Sequence, residues 1–161
     1  MSATISSCAR YRYTLSRPAG GTGGGTLLFV MLNPSTADAT ENDPTIRRCI
    51  SFASDLGFSK LEVGNLFAIR ASNSRVWRSA ADPIGPENDH WLRTLAQRAS
   101  QVIVAWGANA PLNRTIEVIG ILSAAQQELY CLATTAAGAP GHPLYVRRFT
   151  PARRWTGDGK V

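Results

Sequence analysis

The chain is poor in the residues that build metal centres. It has three cysteines, Cys8, Cys49 and Cys131, with no Cys-x-x-Cys pair, and two histidines, His90 and His142. A structural zinc site or a cysteine-held iron–sulfur cluster needs more ligands at closer spacing. No metal and no cofactor is therefore expected. Charged residues are 17% of the 161, below the roughly 25% of an average soluble protein. Much of the surface must then be Ser, Thr, Asn, Gln and Gly. Lysine is almost missing, since fifteen of the 17 basic residues are arginine. No apolar run approaches the ~20 residues of a membrane span, and MSATISSCARYRY lacks the apolar core of a signal peptide. With scattered cysteines, the expectation is a cytoplasmic protein without a membrane partner.

What is present is a core. The chain is 44% hydrophobic, enough for one domain over residues 1–161. The net charge is +6, carried by a side chain that binds phosphate and carboxylate through a planar fork. Strand and helix patterns alternate. Residues 10–15 (RYRYTL) alternate like an edge strand, and 17–25 are Pro/Gly-rich and read as a flexible turn. Residues 26–32 (TLLFVML) are a continuous apolar run, as in a strand covered on both faces. Asp43-Pro44 reads as a helix N-cap followed by proline at the first position. The helix carries Ile46, Cys49, Ile50, Ala53 and Leu56 on one face and stops at Gly57.

Residues 61–66 form a second strand, and 67–85 a long polar connection of the kind that often carries function. Helices are expected over 86–100 and 111–123, and strands over 101–106 and 128–133. The tail 147–161 holds five bases and one acid. Such alternation predicts a four-stranded, mostly parallel sheet with right-handed crossovers and helices on both faces, a three-layer α/β/α domain. Ligands of such sheets bind beyond the C-terminal strand ends. That rim holds Asn33, Pro34, Ser35 and Thr36, then Asn65 with Phe67, then Gly107, Ala108 and Asn109, then the loop of His142. His90, beside Trp91 in a helix, reads as surface or packing.

These strand ends resemble the uracil-DNA glycosylase superfamily. LLFVMLNPSTAD looks like the first motif of its mismatch-specific branch. LEVGNLFAIRAS and QVIVAWGANA look like the second and third strand segments of its thermostable branch, and GHPLYV like a shortened His-Pro-Ser motif. The resemblance spans about residues 26–146. More closely, MLNPSTAD…NDPTIRRC…NLFAIRA…GHPLY resembles a bacterial family of unknown function. Asn33 stands where the most active glycosylase branch has an activating Asp, Leu32 replaces a Gly, Leu144 replaces the Ser after His-Pro, and the cluster cysteines are absent.

The resemblance implies a monomeric DNA glycosylase-like hydrolase that cleaves the N-glycosidic bond of uracil or a modified pyrimidine in DNA. It assigns Asn33 to the water and His142 to the base oxyanion. Asn65 would read the base edge, with Pro34, Ser35, Phe67 and Gly107 lining the pocket. Phe67 or Phe52 would stack on the base, and Arg147, Arg148, Arg153 and Arg154 would hold phosphates. Two other classes stay open: a hydrolase of free nucleotides or nucleosides, and a non-catalytic base- or nucleic-acid-binding module.

Overall fold

The computed structural model describes residues 1–157. Its sheet has seven strands in the order β1-β2-β4-β3-β5-β6-β7. They are β1 Ser2–Ile5, β2 Arg12–Pro18, β3 Thr26–Met31, β4 Lys60–Asn65, β5 Gln101–Val104, β6 Leu129–Cys131 and β7 Arg153–Arg154. The four expected strands form a parallel centre, with β3 between β4 and β5, and β6 beyond β5. The sheet as a whole is mixed, which corrects the four-stranded expectation. Antiparallel β1 and β2 extend it beyond β4, and antiparallel β7 extends it beyond β6. Parallel edges would otherwise expose unpaired backbone groups.

Four helices flank the sheet: α1 Pro44–Asp55, α2 Ser74–Ser79, α3 Asn88–Arg98 and α4 Leu112–Ala124. Side-chain alternation divides the core. Leu27, Phe29, Leu61, Val63 and Ile103 face Ile46, Cys49 and Phe52 of α1. Leu28, Val30, Val102 and Val104 face Leu92, Leu95, Val118 and Leu122 of α3 and α4. Residues 67–85 are not wholly irregular, because α2 lies within them and buries Trp77. Asp43 caps α1 as its sequence requires, its Oδ1 accepting the Ile46 N–H at 2.8 Å.

The edge strand and the tail also differ from their sequence reading. The strand expected at the edge over 10–15 begins at Arg12 and is covered by β1. It also contains a bulge: Thr4 pairs with Thr14 and Ile5 with Arg12, so Tyr13 is an extra residue. The bulge reverses the alternation. Leu15 packs with the α1 side, whereas Tyr13 and Tyr11 pack with the α3 side. Arg12 is thereby turned back towards the α1 side, where its Nη1 donates to the carbonyl of Ala37. The tail is likewise not a free basic segment. Arg153 and Arg154 pair with Cys131 and Tyr130, and Trp155 is buried. The last four tail residues, 158–161, lie outside the described residues.

Candidate functional site

A cavity of about 460 Å³ opens at the C-terminal ends of the parallel strands, where the topology places a ligand. The loop after β3 contributes Asn33 and Ser35, and the segment after β5 contributes Trp106, Gly107 and Asn109. The loop after β6 brings Thr135, His142 and Tyr145, and the first turn of α1 brings Asp43 and Thr45. Arg12 reaches the cavity from the bulge in β2.

Asn33 links two loops. Its Nδ2 donates to Ala71 O at 2.7 Å and to Pro34 O at 3.0 Å. The Ala71 N–H donates in turn to Pro34 O at 2.8 Å. Both amide hydrogens are committed, which leaves Oδ1 as the part of this side chain able to accept from a ligand or water. His142 caps the 3₁₀ turn Pro143–Tyr145, with Nδ1 accepting the Leu144 N–H at 3.4 Å. That bond puts the ring proton on Nε2. Burial lowers the His142 pKa below its ordinary value, more than nearby Asp43 raises it, so the ring is neutral at neutral pH. Gly107 adopts φ +78° and donates its N–H to Pro140 O at 2.8 Å. This left-handed turn, costly for a residue with a Cβ, carries the chain from β5 past the His142 loop.

Thus Asn33, Ser35, Gly107 and His142 share one cavity. Pro34, Asn65 and Phe67 are not part of its wall. Pro34 is buried beneath the Asn33 turn. Asn65 pairs with the wall residue Met31 and is buried, and neither atom of its amide has a protein partner. Phe67 stacks on Trp77 with ring centroids 4.8 Å apart, and Phe52 is buried against α1's side of the sheet. Neither aromatic lines the cavity. In the tail, Arg148 holds Asp55 through two bonds of 3.1 and 3.2 Å, and Arg154 holds Glu128 at 3.0 Å. Arg147 and Arg153 are exposed and make no ion pair among the described residues.

A model of the family described as "Protein of unknown function (DUF1643)" matches residues 12–144. The chain belongs to this family. The match agrees with the narrower of the two resemblances carried by the motifs. The family span takes in Arg12, Asn33, Asp43 and His142 and ends before the tail arginines. No curated protein and no solved structure matches the chain.

Arg12 and Asp43 are not singled out as site residues by sequence reasoning. Asp43 was legible only as a cap, because a cap and a cavity carboxylate look the same in one dimension. Arg12 sits in an alternating strand that predicts a surface side chain, and the bulge leaves no signature there. Among the described residues no group of three or more His, Cys, Asp or Glu side chains is placed to hold a metal ion. Among the described residues no helix is long and apolar enough to cross a membrane.

Proposed function

We propose that the protein is a glycosylase-like hydrolase that cleaves the N-glycosidic bond of a pyrimidine nucleotide. The observation that carries this reading is one cavity bordered by a neutral imidazole, a carboxylate and a free amide oxygen, from His142, Asp43 and Asn33. As the bond breaks, negative charge gathers on the departing base and positive charge on the sugar. The His142 Nε2–H stabilises the base oxygen, as a preorganised donor does best in an enclosed site. The Asp43 carboxylate favours the oxocarbenium-like sugar. Asn33 Oδ1 and Asp43 both accept, so they orient the attacking water. The hydroxide of that water joins the sugar carbon and its proton ends on the base. Asn65 supports the wall from behind in this reading, and the exposed amide of Asn109 reads the base edge.

The nucleotide can be part of DNA or free. The free form is favoured because two of the four tail arginines, Arg148 and Arg154, already hold carboxylates, which leaves Arg147 and Arg153 alone for a strand. The test is single-turnover base release from oligonucleotides carrying uracil, 5-hydroxymethyluracil, hypoxanthine or mismatched thymine, and from the matching free nucleotides. His142→Ala is expected to slow release ~100-fold or more, the scale of a lost oxyanion donor, with binding little changed. Asp43→Asn slows it as well. Release at the wild-type rate in both variants overturns the assignment. Binding without release from any substrate leaves a non-catalytic nucleotide-binding module.

A further inference from the structure

Among the described residues three arginines are buried: Arg12, Arg17 and Arg114. Two of them are fully engaged. Arg17 donates from Nε to Asn42 Oδ1, from Nη1 to Ser2 O and Ser16 O, and from Nη2 to Asp38 O and Glu41 O. Arg114 donates to Leu66 O, Glu117 and Asp89. Arg12 is as deeply placed, at 2% exposed, yet makes one side-chain bond, from Nη1 to Ala37 O at 2.6 Å. Its Nε is buried without a partner, and no carboxylate lies within ion-pair distance among the described residues. Burial lowers its pKa to about 10, so it is charged at neutral pH. A buried, charged fork with most of its donors unused is unfavourable unless something else fills it. Arg12 lines the cavity, so the cavity is where that partner must come from.

We propose that Arg12 is the seat of a terminal oxyanion on the ligand, and that this ligand is a free nucleoside monophosphate. The nucleotide part rests on the function proposed above, whereas the oxyanion part rests on Arg12 alone. A guanidinium fork matches two oxygens of one phosphate or carboxylate. At 2% exposed, Arg12 is reached from inside the cavity. A phosphodiester has chain on both sides and cannot be enclosed there, whereas a monoester ends the molecule.

Asp43 sharpens the choice. It shares the cavity with Arg12 but forms no ion pair with it. Its Oδ1 already holds the Ile46 N–H. An occupant must therefore accept from Arg12 and donate to, or carry positive character beside, Asp43. A nucleoside monophosphate does both, with phosphate at one end and sugar hydroxyls and a base N–H at the other. The hydroxyls of Ser35 and Thr45 and the Nε2–H of His142 supply further neutral donors around the same space.

The test is thermal stabilisation and calorimetric binding with deoxyuridine monophosphate, deoxyuridine and inorganic phosphate, on the full chain. The monophosphate is expected to bind at least ten-fold tighter than the nucleoside in wild type. Arg12→Lys keeps a charge but loses the fork, and Arg12→Met loses both. Each should bring the two affinities to within about two-fold. Ligand-free Arg12→Met should melt at or near the wild-type temperature, because an unpaired buried charge is removed, while Arg17→Met melts well below it. A structural role for Arg12 predicts that Arg12→Met also melts well below wild type. Equal affinity for nucleotide and nucleoside in wild type, or a phosphate preference that survives in Arg12→Lys, overturns the proposal. Arg12-dependent binding of the monophosphate with no base release keeps the proposal and overturns the hydrolase reading. Arg12-dependent stabilisation by inorganic phosphate without nucleotide binding keeps the oxyanion seat and overturns the nucleotide.

Discussion

The amide of Asn33 shows why one atom of difference matters at the first strand end. An Asp at this position would match the most active glycosylase pattern, yet the structure uses both amide hydrogens to hold Ala71 O and Pro34 O. A carboxylate there would face two carbonyl oxygens and lose both bonds. With ~1 kcal/mol for each bond and a further penalty for acceptors left unpaired, Asn33→Asp should cost about 2–3 kcal/mol of stability, measured by urea unfolding. A variant as stable as wild type would show that the two loops do not depend on this side chain. His142 gives a second expectation at this scale. Its folded pKa lies below the unfolded value, so in the window between them the unfolded chain binds the extra proton. The stability it contributes is complete above the unfolded pKa near 6.5 and is lost as pH falls through the lowered folded value. His142→Asn retains a side-chain acceptor for the turn and does not titrate. Relative to this variant, wild type should lose stability between pH 7 and pH 5, read as melting temperature against pH.

Among the elements, the central strands and long helices were legible because burial on two faces leaves continuous apolar runs and amphipathic faces leave a 3.6-residue period. Asp43-Pro44 gave the start of α1 to the residue. β1 and β7 were not legible. SATI and a two-residue Arg pair carry no pattern, and both strands exist because a neighbouring edge offers its backbone. The same limit hid the bulge that delivers Arg12 to the cavity. The Gly-rich segment after β2 has the composition of a flexible turn, but it is docked. The Gly21 N–H donates to Phe58 O and the Gly23 N–H to Gly57 O, each at 2.9 Å. A Cβ on Gly21 would lie 2.4 Å from Gly57 C and Phe58 O, both backbone atoms, whereas one on Gly24 would meet nothing within 4 Å. Gly21→Ala should therefore cost about 2 kcal/mol or more through displaced backbone. Gly24→Ala, strained only by its φ of +77°, should cost about 1–2 kcal/mol. Equal and negligible effects at both positions would restore the flexible turn.

Across the whole molecule, the tail closes the sheet on the side of the cavity. The Trp155 N–H donates to Leu129 O at 2.8 Å, and its indole N–H donates to Gly138 O at 3.3 Å. Its ring meets Trp106 edge-to-face, with centroids 5.5 Å apart, and Trp106 lines the cavity. Composition could not reveal this, because a five-base tail looks solvated until Trp155, one of its two aromatics, is seen to be buried. Removing that ring loses apolar burial and leaves a void beneath Trp106, a change that typically costs about 3–5 kcal/mol for a buried Trp. Trp155→Ala should fall in that range and should also weaken ligand binding, since one wall of the cavity loses its support. Arg147→Ala with Arg148→Ala is the control. Arg148 joins Asp55 at the surface, where such pairs are screened and contribute little, so this double variant should melt near wild type and bind a free nucleotide as wild type does. Guanidinium unfolding followed by tryptophan fluorescence reads both variants. If the arginine variant lost the ligand and the tryptophan variant kept it, the tail would act through its charges and not as a closing strand.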